Sequence, residues 1–118
     1  MTTRLRTAAI FALTVVGSLG AGGAARALGF EDIAGKWCGD VSSYLFARDK
    51  LTVILLSDGS QRVYPIAKFE YDDDVVSVTW QRGDDQFITE FGEFAADRRA
   101  MVQLENDVGP RREFRKCS

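Results

Sequence analysis

From Gly35 onward, apolar and polar residues alternate in short runs, and turn residues interrupt them about every ten positions. That period predicts eight short strands, at 35–39, 43–47, 51–56, 61–71, 75–81, 86–94, 100–104 and 111–117. Asp58-Gly59 is the strongest hairpin signal, because glycine reaches positive φ without steric cost. Asp72-Asp73-Asp74 and Gly83-Asp84-Asp85 mark two further turns. Pro65 has no N–H to give to a ladder, so the fourth strand is expected at an edge or bulged there. No stretch after residue 35 carries an apolar stripe of helical period, and there is no repeat or low-complexity linker. Ahead of the strands, Phe30-Glu31-Asp32-Ile33 is expected to make one helical turn that plugs an end of the domain.

Alternation also assigns faces, since successive side chains of a strand point to opposite sides. Val76, Val78 and Trp80 share one face, and so do Phe87 and Phe91 with Thr89 between them. A bulge at Gly92 returns Phe94 to that side. Leu51, Val53 and Leu55 form the inner set of the third strand, and Ala67, Phe69 and Tyr71 that of the fourth. Ile54 and Leu56 fall on the other face and are expected to be covered, as in a strand buried on both sides. The inner set is rich in rings. The interior of an eight-stranded barrel is just wide enough for side chains to fill, which predicts a packed core rather than an open cavity.

The first residues stand outside this pattern. Arg4 and Arg6 precede an apolar run from Ala8 to Val16, which decays through a glycine-rich tail to Ala25-Arg26-Ala27. A positive start, a short apolar run and a small-x-small exit are the layout of a secretory signal peptide. The expected organisation is a leader at 1–27 and a single small β-barrel domain at 28–118, with no stable membrane span once the leader is cleaved. Arg4 and Arg6 are not adjacent, so the route is the general secretory one and the destination the periplasm. Of the 15 basic residues in the chain, three arginines lie in the leader, leaving 12 against 17 acidic ones, a net charge of −5. That balance argues against nucleic acid and anionic membranes as partners.

Export changes the meaning of the two cysteines. In an oxidising compartment Cys38 and Cys117 are expected to form one disulfide. They lie on the first and last strands. A bond between them belongs at the seam of a meander closed upon itself, which removes the exposed edges. The expected fold class is therefore all-β, an antiparallel up-and-down barrel of about eight short strands whose terminal strands are tied by a disulfide. A β-sandwich or an open curled sheet is also compatible with the strand pattern.

Gly35-Lys36-Trp37, on the first strand after a turn of helix, resembles the Gly-x-Trp signature of lipocalins and the wider calycin group. The resemblance implies a tryptophan that closes one end of the barrel and an arginine near the last strand packed over its indole. Arg112 is the better match by parity and Arg115 the alternative.

Candidate chemistry is mostly excluded. The chain contains no histidine, which removes Ser-His-Asp and Cys-His catalysis and most zinc or copper sites. Asp72–Asp74 with Glu70, aided by Asp84 and Asp85, is an acidic cluster read as two solvated turns, because no glycine-spaced calcium loop is present. Glu90 and Glu93 are paired carboxylates on a chain too small for a deep cleft. The expectation is a non-enzymatic protein without cofactor or metal. It binds an apolar small molecule or an envelope component through Trp37, Trp80, Phe87 and Phe91, at a mouth near Trp37. A periplasmic structural or partner-binding protein is a second expectation. A third is an inhibitor of a lysozyme-type hydrolase, since exported disulfide-bonded barrels of this size resemble bacterial lysozyme inhibitors.

Overall fold

The computed structural model describes residues 26–107 and 109–117. Of the leader expected at 1–27, residues 1–25 lie outside the described residues. Helix α1 is a single turn, Phe30–Ile33. Eight strands follow: β1 Gly35–Cys38, β2 Ser42–Phe46, β3 Lys50–Leu55, β4 Gln61–Tyr71, β5 Val76–Arg82, β6 Asp85–Gly92, β7 Ala100–Gln103 and β8 Arg112–Lys116. They form a closed barrel in chain order, and every pairing is antiparallel, including that of β8 with β1. Among the described residues no helix is long and apolar enough to cross a membrane.

The turns follow the local chemistry. Gly59 takes φ +73° in the β3–β4 hairpin, and the Asp58 carboxylate accepts the Ser60 N–H at 2.9 Å. Gly83 takes φ +64° in the tight turn where Arg82 faces Asp85. The clasp is the Cys38–Cys117 disulfide, with Cα atoms 5.8 Å apart. It sits beside one of the two shortest junctions in the barrel wall. β1 and β8 pair only through Trp37–Lys116 and Cys38–Arg115, and β6 and β7 only through Phe91–Gln103 and Gly92–Val102.

The barrel has two unlike ends. At one, α1 lies across the opening and Ile33 and Trp37 are fully buried. The Trp37 indole N–H donates to the Ile33 carbonyl at 2.9 Å, which fixes helix to strand. Phe94 meets Trp37 edge-on at 6.4 Å, and Phe30 meets Phe69 at 5.3 Å. Asp32, its side chain 1% exposed, accepts two hydrogen bonds from Arg26, at 2.7 and 2.9 Å, and one from the Gly29 N–H. Arg98 stands 3.6 Å from the same carboxylate.

Several details differ from the alternation read along the chain. Pro65 lies in an interior strand, not at an edge; it pairs with Lys50 at the end of β3, and the irregularity comes one step later, between Ile66 and Lys68. The extra residue there turns Ala67 outward, so Ile66 and Phe69 take the inner positions. The bend expected at Gly92 is carried by Glu93, at φ +52°, and Phe94 returns to the core beyond it. Leu56, just past the end of β3, is 52% exposed, while Ile54 on the same face is half-buried, so the cover expected over these two residues is only partial. Cross-strand register puts Leu45, Thr52 and Val63 in one row of the outer face.

Candidate functional site

The second end of the barrel is not filled. A cavity of about 250 Å³ opens there, lined by Tyr44, Val53, Tyr64, Trp80, Phe91 and Gln103 among others. Its position follows from strand length. β4, β5 and β6 run seven residues or more and extend past β7, which has only four. β7 ends at Gln103, and the gap lies beyond it. Gly109 and Pro110 border the cavity, and beyond the β6–β7 ladder the Leu104 N–H donates to the Glu90 carbonyl at 2.9 Å and the Asn106 amide to the Ile88 carbonyl at 3.0 Å. The rings on the β4–β6 side form a continuous wall. Tyr64 and Trp80 are 5.0 Å apart, Trp80 stacks on Phe87 at 4.9 Å, and Arg82 lies over the outer ring at 4.9 Å. Tyr44, stacked on Phe114 at 4.7 Å, carries the opposite wall.

The polar atoms of the cavity are few and partly spent. The Trp80 N–H donates to Thr89 Oγ1 at 3.0 Å, and the Tyr44 hydroxyl donates to Gln103 Oε1 at 2.8 Å. Burial raises the pKa of that hydroxyl, against the nearby positive charge of Arg112 and a hydrogen bond with the Ser42 side chain, so Tyr44 stays protonated at neutral pH. Arg112 is half-buried on the inner face of β8, directly across from Gln103.

Of the four residues expected to hold a ligand, Trp80 and Phe91 line this cavity. Phe87 backs Trp80 from outside the lining. Trp37 lies at the other, closed end, so the mouth is remote from it. The cation above the Trp37 ring is Lys116, 4.9 Å from its centroid, and not Arg112 or Arg115. Direct register explains this. Trp37 faces Lys116 across the seam, which puts both on the inner side, whereas Arg115 faces Cys38 on the outer side and Arg112 lies toward the open end. Tyr44, Gln103 and Thr89 were not foreseen in the site. The signal for Gln103 was its parity with Met101 on a short strand, which makes it an inward-pointing amide.

A larger groove, about 590 Å³, runs outside the barrel beside the seam, bordered by Cys38, Asp40, Glu93, Arg111, Glu113 and Arg115. Its charges are partly matched with one another: Arg111 makes two hydrogen bonds to Glu93, at 2.6 and 2.8 Å. The two acidic turns, at 72–74 and 83–85, flank the two ends of β5 and so stand at opposite ends of the barrel. Among the described residues no group of three acids or other ligands is placed to hold a metal ion. Glu90 reaches the Ser77 hydroxyl at 3.5 Å on the outer face, away from the Glu93–Arg111 pair.

No family model, no curated protein and no solved structure matches this chain.

Proposed function

We propose that the protein is exported by the general secretory route, loses residues 1–27, and acts in the periplasm as a non-enzymatic barrel. It binds a small apolar molecule or the apolar part of an envelope component. The observation that carries this reading is the cavity of about 250 Å³, walled by Tyr64, Trp80, Phe91 and Tyr44 at the end away from the Trp37 plug. Concave apolar cavities with a few convergent polar groups are where small molecules bind. At roughly 30 Å³ per water, the space takes about eight water-sized groups, which sets the ligand's scale.

The test uses the Trp37→Phe variant, in which Trp80 is the remaining tryptophan. Titration with nitrobenzene, a neutral single-ring quencher matched to the cavity's size, is expected to quench Trp80 saturably. Quenching that stays linear with concentration, for nitrobenzene and for a series of single-ring probes, would remove the binding reading. Export is tested separately: the secreted protein should begin at Leu28, and a chain retaining Arg26 after secretion would overturn that processing site.

A further inference from the structure

The cavity's polar inventory is one-sided. Gln103 is 5% exposed, and its amide oxygen already accepts from Tyr44. Its Nε2 donates to no described group, yet it is not sealed among the buried atoms without a partner. It faces the Gly109 side of the mouth, 3.9 Å from where a Cβ at Gly109 would sit. Thr89 Oγ1 is likewise occupied, by Trp80. Arg112 adds a permanent positive charge on the neighbouring inner position of β8, and among the described residues no carboxylate pairs with it. Among the described residues no aspartate or glutamate lines the cavity. The described lining therefore offers one positive charge and an unspent amide donor against an apolar wall, and its only side-chain acceptors besides the engaged Gln103 oxygen are the Tyr44, Tyr64 and Thr89 hydroxyls. A ligand that displaces solvent from the amide and the guanidinium must bring an acceptor in its place, because donors left dry and unpaired cost more than their bond returns.

We propose that the ligand is a small amphiphile with a carboxylate head, its oxygens held by Gln103 Nε2 and the Arg112 guanidinium and its chain lying against Trp80 and Phe91. A carboxylate is planar with two oxygens and suits the fork of donors that a guanidinium presents. A phosphate monoester carries a further charge, for which the cavity lining holds no second cation. An ammonium head meets like charge and no carboxylate. The volume limits the tail to a short chain or a single ring. This assignment rests on the reading of the cavity as a ligand site.

The experiment compares octanoate, 1-octanol and octyl phosphate by isothermal titration calorimetry on the disulfide-bonded protein. A charge-assisted hydrogen bond gained by the acid alone corresponds to about tenfold or more in affinity, so octanoate is expected to bind at least tenfold more tightly than octanol. Gln103→Leu and Arg112→Gln should each collapse that ratio, Arg112→Lys should keep part of it, and Arg115→Gln, outside the barrel, should leave it unchanged. Circular dichroism establishes that each variant is folded before its ratio is read. Equal binding of acid and alcohol would overturn the head-group assignment while leaving the cavity reading intact. Tighter binding of octyl phosphate overturns the carboxylate class. Absence of binding by all three, together with unsaturated quenching by nitrobenzene, removes both.

Discussion

Breaking the Cys38–Cys117 bond tests how the barrel is held shut. The bond joins residues 79 apart. In the chain-entropy account, closing a loop of about 80 residues in the unfolded chain is worth about 4.5 kcal/mol at 25 °C. For a domain of this size, 1 kcal/mol moves the midpoint by about 4–8 °C, so the expected fall is roughly 20 °C or more. Local structure does little to offset it. The seam beside the bond has two residue pairs, and its other ties are the Lys116 ammonium on the Ala34 carbonyl and the Cys117 N–H on the Lys36 carbonyl at 3.1 Å. The assay is thermal unfolding by near-ultraviolet circular dichroism on oxidised protein, on protein reduced with a phosphine, and on the Cys38→Ala/Cys117→Ala double variant. The reduced and double-variant proteins should melt alike and far below the oxidised one. A fall of less than about 5 °C in both would refute the reasoning, because it would mean that the unfolded chain gains little freedom when the clasp opens.

Three further outcomes follow from the packing. Trp37→Phe keeps the ring but strands the buried Ile33 carbonyl, and urea unfolding should show a loss of about 1–3 kcal/mol. Thr79 Oγ1 is the one buried side-chain polar atom without a hydrogen-bond partner among the described residues, so Thr79→Val should be neutral or stabilising by up to about 1 kcal/mol; a clear loss would reveal a partner for that hydroxyl. The Asp32 carboxyl is held below its ordinary pKa first by the hydrogen bonds from Arg26, then by the Gly29 N–H and the charges of Arg26 and Arg98, against the opposing effect of burial. A depressed carboxylate contributes stability above its unfolded pKa of about 3.9 and loses it as pH falls through the folded value. A chain beginning at Leu28 lacks Arg26, so its acid unfolding should begin at higher pH than that of a chain beginning at Arg26. Coincident acid transitions would show that Gly29 and Arg98 suffice.

The period-two pattern, the turn residues and the two cysteines determined the all-β class, the eight strands and the closure between first and last. Those features are local. Alternation records which residues face a core, Asp-Gly records a positive φ, and a lone cysteine pair has one partner to choose. The pattern failed where one residue changed the parity. The extra residue near Ala67 moved Ile66 inward, and nothing in the fourth strand's composition distinguishes that position from its neighbours. Nor did Ile54 and Leu56, read onto one face, share one fate: Ile54 is half-buried, and Leu56, past the end of β3, is exposed.

The site was decided by tertiary structure. Sequence alone placed four aromatics in the interior, but the barrel axis divided them between its two ends: α1 closes the Trp37 end, while the short β7 leaves the Trp80 end open. Direction along the axis depends on how strands of unequal length are staggered, and no local pattern carries that. Gln103 and Arg112 became a pair through the β7–β8 register, and Lys116 rather than an arginine reached Trp37 through the β1–β8 register. Residue identity determined which groups were available for hydrogen bonds and charge. Their meeting at one end of the barrel is set by the register and stagger of several strands at once, which no single stretch of sequence carries.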